Sequence, residues 1–331
     1  MLMIYHTADH GDFQVIRQLG EGGSGSLVYE VSAVADSHQR FALKHLCKLK
    51  RSEHEMQFRR FENEMRFAAK HTHDHLLRAV TTDFVTVDGE AQPFYVMPLY
   101  PKTLKDLIAE DLAHDRVLPL FHQLLDGVEY LNQFAFVHRD LKPENIFYDA
   151  VNDRLIIADF GITDFTASAD FALVETEVGV RLMSARYGSP EQVHMGYKPH
   201  PFFRDSGEIG LAADIYALGA ILHEMFTREM MSSPNAYDSI VEYVIYQMYR
   251  SIFGDLPYLD LDGLIMDFTV MRKRLTIKGK YVRVFDWIEQ VKANYGYLDE
   301  LCRLMTIKNV HRRIATIKDI RCFLETRDRF C

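Results

Sequence analysis

Within one stretch of the sequence, three oxygen-bearing side chains and one amine stand in an order that suits phosphoryl transfer. His138-Arg139-Asp140-Leu141-Lys142-Pro143-Glu144-Asn145 is followed by Asp159-Phe160-Gly161. Moving a phosphoryl group asks little covalent chemistry of a protein. It asks for in-line positioning, metal-held phosphates and one carboxylate to orient the attacking hydroxyl. Asp140 is the candidate for that carboxylate. Asn145 and Asp159 offer oxygen ligands of the kind a hard cation takes, Mg²⁺ first and Mn²⁺ as the alternative. Lys142 can neutralise charge that builds on the group in transit. An isolated His-Arg-Asp or Asp-Phe-Gly reads as an ordinary turn; the ordered set does not.

Gly20-Glu21-Gly22-Gly23-Ser24-Gly25 fits G-x-G-x-x-G, a spelling shared with dinucleotide-binding folds. The dinucleotide fingerprint runs strand, glycines, helix. Here Phe13, Val15 and Ile16 stand before the glycines and Leu27, Val28, Tyr29 and Val31 after them, which predicts a hairpin. Glycines let such a loop fold over phosphates with no Cβ in the way. Phe41-Ala42-Leu43-Lys44 predicts a short strand ending in a lysine that can reach the α- and β-phosphates. An acid must hold that lysine. Glu64 lies on a helical pattern in which Phe58, Phe61, Met65 and Ala68 recur at spacings of three and four.

The elements that position these groups follow from periodicity. The first hundred residues read mainly as strand, interrupted by the Glu64 helix. Beyond Pro101 the pattern turns helical: Thr103 and Asp106 form a capping box ahead of Leu104, Leu107, Ile108 and Leu112. Val117 to Leu131 keeps a helical period, Ile146-Phe147 and Leu155–Ile157 read as short strands, and the chain from Leu211 on is mainly helix. The expected fold class is α+β and bilobal. Residues 1–97 form a β-rich lobe with one helix, 98–101 a hinge, and 102–331 a larger, mainly helical lobe.

Bulk properties bound the function. The 331 residues suffice for two lobes around one cleft. A net charge of −9 argues against a nucleic-acid partner, and the run Lys48, Lys50, Arg51 reads as a solvated helix start. The four cysteines are scattered with no C-x-x-C pair, as expected of thiols in a reducing cytoplasm. Residues 1–11 lack the apolar core of a signal peptide, and no apolar run is long enough to cross a bilayer. The histidines of His71-Thr72-His73-Asp74-His75 read as turn residues rather than metal ligands.

From about Phe13 to about Arg313 the chain resembles the eukaryotic-type serine/threonine protein kinases, with a leaning towards bacterial members. The resemblance implies ATP and Mg²⁺ as cofactors, protein substrates and autophosphorylation. It makes Gly20, Gly22 and Gly25 the phosphate-covering loop and Lys44–Glu64 an ion pair of the active state. Leu27, Ala42 and Phe147 would sandwich adenine. Met97 takes the gatekeeper position, and the backbone of Pro98, Leu99 and Tyr100 the hinge that meets adenine's edge. Asp140 and Lys142 become catalytic, Asn145 and Asp159 metal ligands. Glu191, in Tyr187-Gly188-Ser189-Pro190-Glu191, would pair with Arg313, and Asp214 would hold the catalytic loop's backbone. Ser184 stands where a hydroxyl bridges the catalytic aspartate and lysine, favouring Ser/Thr acceptors. Thr176 is a candidate activation site whose phosphate would meet Arg139; Glu175 and Glu177 offer the competing way to order that loop. Two rivals are a small-molecule kinase, which usually lacks the Lys142 and Pro190-Glu191 features, and a scaffold that has lost catalysis. The latter typically loses Lys44, Asp140, Asn145 or Asp159, all present here.

Overall fold

The computed structural model describes residues 3–22, 25–161, 186–193, 210–229, 231, 239–253 and 284–328. Thr176, Ser184 and nearly all of the 199–210 loop lie outside them.

Six antiparallel strands build the amino-terminal sheet: β1 (Ile4–Thr7), β2 (Gly11–Glu21), β3 (Ser26–Ala33), β4 (Arg40–Leu46), β5 (Thr81–Val87) and β6 (Glu90–Pro98). Their order is β1-β2-β3-β4-β6-β5. Successive side chains of a strand point to opposite faces, so β4 and β6 each serve two cores. Leu43, Phe94 and Val96 join Tyr5, Phe13 and Val31 on one side. Ala42, Leu46, Tyr95 and Met97 face the other, where α1 (Glu55–Lys70) packs Phe58, Phe61 and Met65 against them.

Two expectations need correction here. Lys44 does not end its strand, because β4 continues to Leu46 and buries His45 under the hydroxyl of Tyr5, 2.7 Å from Nδ1. Lys48, Lys50 and Arg51 precede the helix instead of opening it; Lys48 pairs with Glu21, and Arg51 reaches Glu62 at 2.7 Å.

A second, three-stranded sheet, β7 (Lys102–Thr103), β8 (Ile146–Asp149) and β9 (Arg154–Ile157), lies beneath the first, in that order. Among the described residues, the α-helices that follow the first sheet are α2 (Leu104–Ala109), α3 (His114–Gln133), α4 (Pro190–Val193), α5 (Ala212–Thr227), α6 (Ile240–Phe253), α7 (Val284–Met305) and α8 (Ile317–Asp328). The capping box forms as the sequence predicts: the Thr103 hydroxyl oxygen accepts from the Asp106 N–H, and the Asp106 carboxylate from the Thr103 N–H. Helix α5 is buried on every side from Ala213 to Thr227, apart from Tyr216, which is partly exposed. A helix buried all round belongs at the centre of a domain, and α3, α6 and α7 pack against it.

Candidate active site

The site lies between the two sheets, and the upper sheet supplies its cation. Lys44 Nζ donates to Glu64 Oε1 at 2.7 Å and to Asp159 Oδ1 at 3.1 Å. Glu64 is placed by α1, whose apolar face fixes the helix against β6; Tyr95 of β6 donates its hydroxyl to the same Oε1 at 2.8 Å. The lysine side chain is 9% exposed, Glu64 2% and Asp159 35%. Burial, the largest influence on Lys44, favours its neutral form, yet Asp159 and Glu64 outweigh it and hold the ammonium well above the ordinary lysine range. The two carboxylates split accordingly. Lys44 pulls Asp159 below its usual range, while burial first, with the nearby charge of Asp159, raises Glu64 against the pull of the lysine.

The lower part is built from backbone held by side chains. Asp214, almost fully buried near the start of α5, accepts from the N–H of His138 at 2.7 Å and of Arg139 at 2.9 Å. Arg139 takes a positive φ of 69°, uncommon for a residue with a side chain. Asp140 follows, and its Oδ2 accepts from Lys142 Nζ at 2.6 Å and from Asn145 Nδ2 at 2.9 Å. The Asn145 amide nitrogen also donates to the Asp140 carbonyl at 3.0 Å. Asn145 and Asp159 are brought to the same end of β8 and β9, the Asn145 carbonyl accepting from the Ala158 N–H at 2.9 Å. Phe160 is wholly buried, its ring 4.3 Å from Phe67 of α1 and 5.3 Å from His138. This packing keeps Asp159 turned towards Lys44.

The glycine hairpin closes above. The Gly22 N–H donates to the Ser26 carbonyl at 2.9 Å, and a Cβ on Gly22 would lie 2.2 Å from Ser26 Oγ and 3.3 Å from Lys44 Cε. Gly25, at φ +85°, leaves no room beside Leu49. Gly20 faces open space. The register of this hairpin overturns one expectation. Leu27 pairs with His45 and so lies on the Tyr5 face, away from the cleft; Val28 pairs with Lys44 and shares its face with Ala42. The family resemblance points to Leu27, but in this register the position on the Lys44 face is Val28. Ala42 pairs with Met97 across β4 and β6. Leu99 and Tyr100 follow, half-buried, and the Tyr100 ring stacks on Phe147 of β8 at 5.5 Å. Burial pushes the Tyr100 phenol up to about 12.

Glu191 and Arg313 form a buried two-pronged ion pair at 2.6 and 3.0 Å. The same guanidinium donates to the carbonyls of Ala212 and Ile307. Two residues here take roles that no motif assigns. Glu224, fully buried in α5, accepts from the Tyr187 hydroxyl and from Lys105 Nζ, both at 2.5 Å. Gln192 bridges Ser189 and the Arg139 carbonyl. Neither the Glu224 contacts nor the Gln192–Arg139 contact could be found from spacing, since those partners lie far away in the chain. Among the described residues no three His, Cys, Asp or Glu side chains gather where they could hold a metal. His71 instead stacks on Phe67 at 4.7 Å, and His73 packs on Tyr130 at 4.9 Å.

Comparison with known proteins adds a family to this geometry. The family model described as the protein kinase domain matches residues 13–274, starting where the sequence resemblance starts and stopping short of Arg313. The carbon catabolite-derepressing protein kinase of Saccharomyces cerevisiae is 26% identical over 66% of this chain and 31% of its own length. Its namesake in Candida tropicalis is 28% identical over 90% of this chain and 44% of its own. The serine/threonine-protein kinase PrkC of Bacillus subtilis is 27% identical over 66% and 30% respectively. The chain thus spans less than half the length of each of these relatives.

Proposed function

Because this chain belongs to the protein kinase domain family, we propose that it is a serine/threonine protein kinase, passing the γ-phosphoryl group of ATP to hydroxyls of other proteins and of itself. One observation carries the reading: Lys44 is tied to both Glu64 and Asp159 while Asp140 is tied to both Lys142 and Asn145. A domain kept only as a scaffold has no need of six charged and polar groups held in this order.

Adenine would lie between Val28 and Ala42 above and Phe147 below, its edge on the backbone of Pro98 to Tyr100, with Met97 at the back. Lys44, held charged by its two carboxylates, would meet the α- and β-phosphates under the Gly20–Gly25 hairpin. The donor set at Asn145 and Asp159 fits Mg²⁺: one ionised carboxylate and one amide carbonyl make an incomplete, all-oxygen shell, the kind this ion completes with phosphate oxygens and water. When bound there, the ion would neutralise charge on the β- and γ-phosphate oxygens. Asn145 turns its amide nitrogen to Asp140, which directs its carbonyl oxygen the other way.

Asp140, fixed by two donors, orients the acceptor hydroxyl and takes its proton as the phosphoryl group leaves ATP. Lys142, hydrogen-bonded to Asp140, stabilises the charge in transit. Lys142 together with Ser184 favours serine or threonine acceptors. Phosphate on Thr176 would order the segment before Ser184 by meeting Arg139. Among the described residues no helix is long and apolar enough to cross a membrane, and Cys47, Cys302 and Cys322 are unpaired thiols; the latter supports a reducing, cytoplasmic setting.

The test is transfer of label from γ-labelled MgATP to the protein itself and to a generic basic protein. Asp140→Asn should lower the rate by a factor of about a thousand or more. Equal label in wild type and variant would assign the activity to something else. A fall of that size with a small-molecule acceptor alone would favour the other kinase class.

A further inference from the structure

The peptide unit immediately before Asp140 is gripped at both ends. Its N–H, that of Asp140, donates to His138 Nδ1 at 3.3 Å. Its carbonyl, that of Arg139, accepts from Gln192 Nε2 at 2.8 Å. Gln192 is buried, and its other amide atom, Oε1, accepts from the Ser189 N–H at 3.0 Å and the Ser189 hydroxyl at 3.2 Å. Ser189 and Gln192 stand three apart at the start of α4, an arrangement in which the side chain of the third helical residue reaches back to the capping residue's N–H.

That arrangement accepts glutamate as readily as glutamine, since only an acceptor is needed. The contact to Arg139 is different. A carbonyl oxygen needs a donor, and an ionised carboxylate has none. We infer that Gln192 is a positioning residue for the transfer reaction: its amide nitrogen holds the Arg139–Asp140 peptide, so that order in the Tyr187–Gln192 segment, beside which the acceptor protein would lie, is passed to the carboxylate that orients the hydroxyl. The positive φ of Arg139 gives the contact something to do. A backbone in that region relaxes unless its neighbours over-determine it. Asp214 fixes the N–H side of Arg139, and Gln192 its carbonyl side.

This inference rests on the kinase reading, and the experiment separates the two. Gln192→Glu keeps shape and cap but replaces the donated hydrogen bond by two facing acceptors. At about pH 8 kcat should fall about tenfold to hundredfold, with KM for ATP unchanged. Burial and the facing carbonyl favour the protonated acid, which can donate. The ratio of variant to wild-type kcat should therefore rise as the pH falls towards about 6. Gln192→Met, isosteric and unable to titrate, should lose a similar factor and show no recovery. A kcat within about twofold of wild type for either variant, or a variant-to-wild-type ratio for Gln192→Glu that is flat with pH, overturns the inference. So does loss of the cooperative thermal transition in both variants, because the residue would then support the fold and not this peptide. If wild type and Asp140→Asn transfer label equally, the kinase reading itself falls and takes this one with it.

Discussion

Replacing Glu64 by glutamine removes one charge from a three-group cluster and leaves its shape. Lys44 Nζ lies 2.7 Å from Glu64 and 3.1 Å from Asp159. At an effective dielectric of about 20 these distances correspond to attractions of about 6 and about 5 kcal/mol, so the lysine is drawn almost equally both ways. The variant loses the first attraction but no longer desolvates an anion at a site that is 2% exposed. Its amide oxygen can still accept from Lys44 and Tyr95. Because Asp159 remains, the net cost should fall below the ~3–5 kcal/mol of a fully orphaned buried ion, at about 2–3 kcal/mol. If Lys44 must stay between the two carboxylates to meet phosphate, kcat/KM for ATP drops about thirtyfold to hundredfold.

The pH dependence carries a sign. Lys44 is raised in the folded protein: burial lowers it, but Asp159 and Glu64 together do more. Its stabilising contribution is therefore full below the unfolded value of about 10.4 and is lost only as pH rises through the folded value. In Glu64→Gln the burial penalty stays and one of the two opposing charges goes. The alkaline fall in activity should therefore begin at lower pH than in wild type. The assay is kcat/KM for ATP from about pH 7 to about pH 10, with urea unfolding in parallel. A variant within about threefold of wild type at every pH would refute the argument, as would an alkaline limb that does not move.

Arg313→Ala should cost about 3–5 kcal/mol in urea unfolding, since Glu191 is left buried and unpaired; Glu191→Met with Arg313→Met should recover much of it. A double variant as unstable as the single one would count against that account. Val28→Ala should raise KM for ATP several-fold, up to about tenfold, whereas Leu27→Ala should leave it unchanged. The reverse pattern would show that the hairpin register is misassigned. Asp214→Asn leaves one of two backbone N–H groups facing a donor and should cost about 1–3 kcal/mol in unfolding experiments, with a loss of kcat. Wild-type stability in that variant would remove Asp214 from the support of Arg139.

Much of this molecule is legible before any coordinates. Local chemistry decides the capping box at Thr103, the α1 stripe of Phe58, Phe61 and Met65, and the turn set from His138 to Asn145, because each depends on neighbours within a few residues. The grouping of Asp140 with Lys142 and Asn145 is local in the same sense. The Lys44–Glu64 pair is distant in the chain and is suggested by the need of the strand lysine for an acid on the neighbouring helix; the Glu191–Arg313 pair, more distant still, comes from the family resemblance alone. Nothing in the spacing itself could give the second pair.

What tertiary structure alone decided is parity and partnership. Side chains on a strand alternate, so one residue of slack in the glycine hairpin exchanges Leu27 for Val28 across the whole cleft. The family resemblance cannot see the strand register that decides it. Lys44 lies inside its strand because Tyr5, from the far edge of the sheet, gives His45 a buried partner. Gln192 and Glu224 look like ordinary polar residues in the sequence. Burial makes them consequential, since a polar group removed from water must find its partner wherever the fold has placed one.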